Sequence, residues 1–338
     1  MKLNYTENVD LNVGAGGRAM YQLLNQLILK EFDNEYLAQQ SDQAILPPIN
    51  GRLAFSTDSY VVSPLFFNGG NIGSLAVNGT INDLAVSGAK PLYLSVGFII
   101  EEGFPLKDLK TIVETMAHAA HQARVLIVTG DTKVVEKGKG DGIFINTSGI
   151  GVIENHVKII PNIQVGDKII INGSIADHGM AIMSKRQGLD FTTDISSDCA
   201  ALNELIDSVL KLSPQIRCMR DPTRGGLSAT INEWASYYNI GVNLIEENIL
   251  VNDNVRGLCE LLGLDPLHVA NEGKVIILAS SADADAIVAQ MRQHPLGVNA
   301  SIIAEVQSIN ENYVTMTTSF GGVRRVDWLN GEQLPRIC

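Results

Sequence analysis

Strand-like apolar runs and helical apolar periods take turns along this chain, and that alternation restricts the fold more than any single motif does. Residues 53–62, 93–100, 125–135 and 142–153 read as strands, being rich in Val, Ile, Leu and Phe. Between them, helical spacing marks residues 19–29, 71–87 and 106–122, the last with Leu109, Ile112, Val113, Met116 and Ala120 facing inward. The second half repeats the theme. A turn and strand follow residue 165; helices are expected at 179–187, 199–212, 227–238, 255–262 and 283–293, and strands at 269–278, 300–307, 314–318 and 323–327. Such an order makes the chain α/β or α+β with two domains. The division falls near 153–165, giving an N-terminal domain 1–155, a C-terminal α/β domain 156–328 and a tail 329–338.

The tail, Leu329-Asn-Gly-Glu-Gln-Leu-Pro-Arg-Ile-Cys338, has neither period and reads as a flexible arm. A cysteine at the very end of an arm packs nothing, yet it can be modified and carried to another site; an incidental terminal residue is the plainer reading. The other three cysteines, Cys199, Cys218 and Cys259, are far apart with no CxxC pair. That spacing gives no zinc or iron–sulfur set and suits packing in a reducing cytosol. Residues 1–8 lack the apolar core of a secretory signal, and no apolar run reaches membrane-spanning length. With a net charge of −12, the chain is a poor partner for nucleic acid or an anionic membrane. A polyphosphate would need backbone N–H groups, a few cations, or a divalent metal held by aspartate.

Several residues match that need. Asp58 lies inside a strand, where a carboxylate is costly unless paired or metal-bound. Asn78 and Asn82 share a helix face beside Asp83; a solvated helix edge is the competing reading. Gly130, Asp131, Thr132 and Lys133 interrupt an apolar strand, so a bulge exposing them is expected. Aspartate supplies hard oxygen for Mg²⁺, and lysine neutralises phosphate. Gly14, Gly16 and Gly17 open a helix and can bring bare N–H groups to phosphate. Asp221 sits in a second charged glycine loop, Glu272 at the mouth of an apolar strand, and His178 at a helix start. Glu272 and His178 are rival candidates for a base, although a histidine in that place is more often structural. No GxxxxGK[ST], strand-linked GxGxxG or GxSxG motif is present, so P-loop, Rossmann and α/β-hydrolase readings fail. Mg²⁺–ATP held by separated aspartates fits what remains, with scattered surface aspartates as the alternative.

Thr57-Asp58-Ser59, the stretch 78–89, Thr129-Gly-Asp-Thr-Lys133 and Asp221-Pro-Thr-Arg-Gly-Gly226 resemble the aminoimidazole-ribonucleotide-synthetase-like ATP-binding superfamily. Within it, Phe55-Ser-Thr-Asp-Ser-Tyr60, Ala270-Asn-Glu-Gly-Lys274 and the terminal Pro335-Arg-Ile-Cys338 are similar to the hydrogenase-maturation carbamoyl dehydratases, the HypE family, over essentially the whole chain. The resemblance implies two α/β domains, with the N-terminal halves of two chains pairing into a shared barrel. It implies that Cys338 accepts a carbamoyl group from the carbamoyltransferase HypF and that ATP drives its dehydration to a thiocyanate. Cyanide then passes to iron on the HypC–HypD complex. By motif position, Asp58, Asp83, Asp131 and Asp221 would hold Mg²⁺–ATP, Thr132 and Lys133 would meet phosphates or the carboxamide, and Glu272 or His178 would be the base. The family's glycine loop commonly follows a histidine; here that place is Val13. Two alternatives are a selenophosphate synthetase and a non-catalytic scaffold presenting its C-terminus. The absence of Cys from residues 13–18 weighs against the first, and the intact acidic set against the second.

Overall fold

The computed structural model describes residues 3–189, 194–212, 214–329, 331, 334 and 336–338. Three short helices begin the chain: α1 (Leu11–Gly14), α2 (Arg18–Leu23) and α3 (Leu29–Glu31), the last two joined by a π turn. Asp10 caps α1 by accepting the Val13 N–H. Next come β1 (Arg52–Tyr60), a small hairpin of β2 (Phe66–Phe67) and β3 (Gly70–Asn71), and helix α4 (Ile72–Val86). They are followed by β4 (Lys90–Glu101), α5 (Leu106–Ala123), β5 (Leu126–Val135) and β6 (Ile143–Ile153).

The four long strands form one sheet in the order β1-β6-β4-β5, with β1 and β5 at its edges. In the single chain this sheet is open, not closed into a barrel. Helices α4 and α5 cover one face. Helix α4 begins with a reciprocal capping box between Asn71 and Ser74. It is buried almost all round, because the sheet lies on one side and the second half of the chain on the other. The solvated edge considered for Asn78 and Asn82 is therefore absent: both are buried.

The rest of the chain builds β7 (Lys168–Ile171), α6 (Asp177–Arg186), α7 (Asn203–Leu210), β8 (Ile216–Arg220), α8 (Gly226–Tyr238) and β9 (Ile240–Ile245). It continues through α9 (Asp253–Leu262), β10 (Ile276–Ala279), α10 (Ala284–Met291), β11 (Ser301–Ile309), β12 (Tyr313–Thr317) and β13 (Val323–Arg325). Seven of these strands form a sheet in the order β13-β12-β9-β11-β7-β10-β8. Strand β7 shows why it is central. Ile169 and Ile171 face a core with α6, α8 and α9, while Ile170 faces a core with α7 and α10. Each such side chain contributes about 2–3 kcal/mol when fully buried.

Three local expectations change. Helix α7 starts only at Asn203, because residues 199–202 cross α4 and are tied to it: Asn82 accepts the Leu202 N–H at 2.8 Å and donates to the Ala200 carbonyl. The strand after Glu272 starts at Ile276, which leaves Glu272 in a buried loop. Residues 130–133 form no bulge; the irregularity of β5 lies earlier, where Val128 is left unpaired between the Leu94–Ile127 and Ser95–Thr129 pairs. Alternation within residues 131–133 exposes Asp131 and Lys133 and buries Thr132.

Candidate active site

The second sheet, α4 and the ends of β1 and β8 converge on an acidic pocket. Asp58 comes from β1, Asp83 from α4, Asp221 from the loop after β8, and Glu272 from the loop before β10. Ser56, two residues before Asp58 on the same strand face, donates from Oγ to Asp83 Oδ2 at 2.7 Å. Burial raises the Asp83 pKa, and Asp58 raises it further. Burial and then the neighbouring Asp83 push Asp221 up to about 7. Glu272 is held well above the carboxylate range by burial and by Asp221, Asp198, Asp58 and Asp83. Its Oε1 has no hydrogen-bond partner among the described residues. Burial and like charge both favour its neutral form, and a cation entering the pocket would favour release of its proton.

The Glu272 backbone is fastened. Asp198 accepts the N–H groups of Glu272 and Gly273, each at 3.1 Å, and pairs with Lys274 at 3.0 Å. Gly273 is required, since a Cβ there would sit 1.8 Å from the Asp198 carbonyl oxygen. Asn82 donates to the Glu272 carbonyl at 3.3 Å. Sequence reasoning missed Ser56, Asp198 and Lys274. Ser56 could have been found by strand alternation from Asp58; nothing local to Asp198 marks its role.

The end of the chain lies in this pocket. The Val61 N–H donates to the Cys338 carbonyl at 3.2 Å and the Ser63 N–H to the Arg336 carbonyl at 3.1 Å, so the last residues run beside the chain after β1. Arg336 donates to the Val61 carbonyl and pairs with Asp141. Ile337 is 3% exposed, packed in the first core. Residues 336–338 are thus docked where a loose arm was expected; 330, 332, 333 and 335 lie outside the described residues. Burial pushes the Cys338 thiol up to about 12, with Glu272 adding to the effect.

His178 is fully buried, and both ring nitrogens are engaged, Nδ1 with Ser197 Oγ and Nε2 with the Ile337 carbonyl, each at 2.8 Å. Burial lowers its pKa. A histidine with both nitrogens occupied is a poor proton acceptor, whereas Glu272 has a carboxyl oxygen to spare. Asn78 donates to Cys199 Sγ at 3.5 Å and so ties α4 to the 199–202 segment.

Asp131 and Lys133 are elsewhere. They pair with each other at 2.6 Å near the β5 edge, and the hydrogen bond from Lys133 lowers the Asp131 pKa. Register separates Asp131 from Asp58. Asp131 shares a row with Gly97, Asn146 and Ser59, whereas the Asp58 row runs through Thr147 and Val96 to Gly130. The two carboxylates therefore turn to opposite faces at opposite sheet edges, three strand spacings or roughly 14 Å apart. Beside β5 is a cavity of about 420 Å³ lined by Gly14, Gly16, Thr129, Gly130, Asp131 and Lys133, among others. Gly14 approaches β5 closely: a Cβ would lie 2.9 Å from that of Val134. Gly17 caps α2 and is not part of this lining. Among the described residues, no three His, Cys, Asp or Glu side chains converge into a ready metal-ligand set.

Comparison with known proteins decides the family. Residues 40–153 match the AIR synthase related protein N-terminal domain, and residues 164–316 the corresponding C-terminal domain. Carbamoyl dehydratase HypE of Bradyrhizobium diazoefficiens is 56% identical over 332 residues, covering 98% of this chain and 96% of that protein. The chain belongs to the HypE family of carbamoyl dehydratases. The HypE of Escherichia coli K12 is 45% identical over 337 residues, 98% of this chain and 99% of that one. A crystal structure of the hydrogenase maturation protein HypE in complex with ATP superposes with a TM-score of 0.93 at 46% identity, covering 97% and 99% of the two chains. HypE from a HypE–HypF complex gives 0.79 at 46% identity, covering 93% and 100%. Thiamine monophosphate kinase of Aquifex aeolicus, 16% identical with a TM-score of 0.59, shares the fold alone. The α/β reading of the sequence is borne out. Among the described residues, no helix is long and apolar enough to cross a membrane.

Proposed function

We propose that this chain is an ATP-dependent carbamoyl dehydratase that converts an S-carbamoyl group on its own Cys338 into a thiocyanate, the cyanide source for hydrogenase iron. The observation that carries the reading is the docked terminal cysteine beside Glu272, a buried carboxyl with one unpartnered oxygen. Family membership at over half identity supports it, as does ATP in the superposed HypE.

The reaction follows from the groups present. The carbamoyl oxygen attacks the γ-phosphorus of ATP; the new P–O bond forms as the β–γ bridge breaks, and ADP leaves. The carboxamide nitrogen gives up one proton to become an imidate. A second proton leaves with phosphate, and the C≡N bond of Cys338–S–C≡N closes. ATP is needed because oxide is a very poor leaving group and phosphate a good one. Glu272, once deprotonated, takes the N–H proton; its raised pKa makes it a stronger base than an exposed carboxylate. Lys133 stabilises charge developing on the transferred phosphoryl group.

Mg²⁺ fits the acidic pocket, where burial and then Asp58 raise the Asp83 pKa, and burial, Asp83 and Asp58 raise that of Asp221. A magnesium ion that arrives with ATP needs only one or two protein carboxylates, so the lack of a preformed ligand set is no obstacle. Bound there, it would neutralise phosphate charge. Asp131, Thr132, Lys133, Gly14 and Gly16 serve phosphates at the other edge.

A homodimer reconciles the two edges, because a second copy can bring its Asp131–Lys133 edge to this chain's acidic pocket. The open sheet face offers an apolar row, Phe55, Ile150, Tyr93 and Leu126, with Phe55 70% exposed. HypF is the carbamoyl donor. The docked thiol, held neutral, is a poor nucleophile, so the tail (329–338) leaves its pocket to be carbamoylated and later to meet HypC–HypD. The domain limits 1–155 and 156–328 and a cytoplasmic location complete the reading. Intact-mass analysis after incubation with HypF, carbamoyl phosphate and ATP tests it. The expected result is a carbamoyl adduct on Cys338 that loses one water only with ATP; an unmodified Cys338 beside an active HypF would end it.

A further inference from the structure

The tail cradle recognises main chain. Three consecutive carbonyl oxygens are met: that of Arg336 by the Ser63 N–H and by Arg186 Nη2 at 3.1 Å each, that of Cys338 by the Val61 N–H, and that of Ile337 by His178 Nε2. A carbonyl only accepts, so Nε2 carries the His178 proton. Nδ1 is then the lone-pair nitrogen, and Ser197 Oγ–H donates to it. Ser197 Oγ in turn accepts the Cys199 N–H at 3.0 Å. This relay sets one tautomer, with the donor aimed at the tail. The ring is further held edge-on by Phe67, centroids 5.5 Å apart, and it stands in the first turn of α6.

We infer that His178 is a positioning residue, which fixes the Ile337 carbonyl and thereby sets how long and in what register Cys338 faces Glu272. The inference rests on the dehydration reading only for its kinetic consequence. His178 touches neither the carbamoyl group nor ATP; it acts through the docked fraction of the tail. The Ile337 carbonyl is bonded directly to the Cys338 nitrogen, with only the nitrogen, Cα and Cβ of Cys338 between it and the sulfur, so a lost hydrogen bond there loosens the reacting atom directly. The role differs from mere packing, because an isosteric apolar side chain would fill the space and still fail to hold the carbonyl.

The test uses the full-length protein, with the alkylation of Cys338 by iodoacetamide followed by peptide mass. In His178→Leu, Cys338 should alkylate about five- to tenfold faster, the range expected for one hydrogen bond. Single-turnover dehydration of the S-carbamoyl tail should slow by a similar factor while the KM for ATP stays put. His178→Gln, whose amide nitrogen can donate, should restore both. A second arm leaves the core untouched: a tail ligated with an ester in place of the Ile337–Cys338 amide weakens the acceptor and should speed alkylation in wild type but not in His178→Leu. Unchanged alkylation in both the Leu variant and the ester-tailed protein would overturn the inference, as would a Gln variant no better than Leu. Should the wild-type carbamoyl tail fail to turn over with ATP, the dehydration reading falls by itself, and alkylation still decides His178.

Discussion

The acidic pocket and the β5 edge use the same residue type under opposite physics. In the pocket, desolvation raises the pKa of Asp83, Asp221 and Glu272 alike; Asp83 makes Asp221 harder to ionise, and both do the same to the buried Glu272. At the edge, Asp131 is exposed and paired with Lys133, so it ionises more readily than usual. On the proposed reading, the pocket would hold cations and protons, and the edge would offer a ready-charged pair to phosphate. The contrast teaches that aspartates equally prominent in sequence divide by burial into two kinds of chemistry.

The comparison can be broken most severely at the tail. Cys338→Ser should abolish thiocyanate formation, read by intact mass, while leaving ATP binding near wild type; retained cyanation elsewhere on the chain would detach the pocket from the tail. Next, Glu272→Gln should lower the single-turnover dehydration rate by about 10²–10⁴-fold with little change in the KM for ATP, as removal of a general base does. A loss confined to KM would make Glu272 a binding residue instead. Lys133→Ala should cost roughly 10²–10³-fold in kcat if the edge serves the phosphoryl group, the scale of losing one electrostatic donor in a site. Phe55→Asp should shift the protein toward monomer in sedimentation and depress turnover with it; a monomeric variant of full activity would show that one chain suffices.

The smallest and sharpest prediction concerns stability. Asp221 has its folded pKa raised to about 7, above the unfolded value near 4. It therefore costs nothing in acid, and its penalty grows as pH rises from about 4 to 7 and is complete above that. Asp221→Asn should raise stability at pH 8 by on the order of 4 kcal/mol and change it little at pH 4, measured by urea unfolding. Asp131→Asn should run the other way and cost no more than about 1 kcal/mol, since its partner is an exposed lysine. Equal effects of the two substitutions would erase the distinction between the regions. The same titration predicts that the KM for Mg²⁺–ATP rises as pH falls below 7, where Asp221 takes up a proton.

Part of the candidate site is legible in the sequence, for specific reasons. Asp58 stood out because a carboxylate within a strand needs a reason, and it lies in the acidic cluster. Glu272 stood out beside an apolar strand, although the strand begins four residues later and the intervening loop is what buries it. Asp131 lies in an interrupted strand, but the irregularity sits earlier, at Val128, and the local alternation of residues 131–133 exposes Asp131 and Lys133 while burying Thr132. His178 is a candidate base in the sequence, although a histidine beside glycine at a helix start is more often structural. Its partners, Ser197 and the Ile337 carbonyl, are 19 and 159 residues away, so no local pattern could show that both nitrogens are engaged.

Sequence by itself determined the order of strands and helices, the terminal thiol and the identity of the acidic and glycine segments, because periodicity and residue chemistry are local properties. Only the tertiary structure decided which aspartates share a low-dielectric pocket, that Asp131 faces away from Asp58, and that the last three residues lie clamped between the two halves. Those outcomes depend on burial, sheet register and contacts between distant segments, and each is set by the packing of the whole chain.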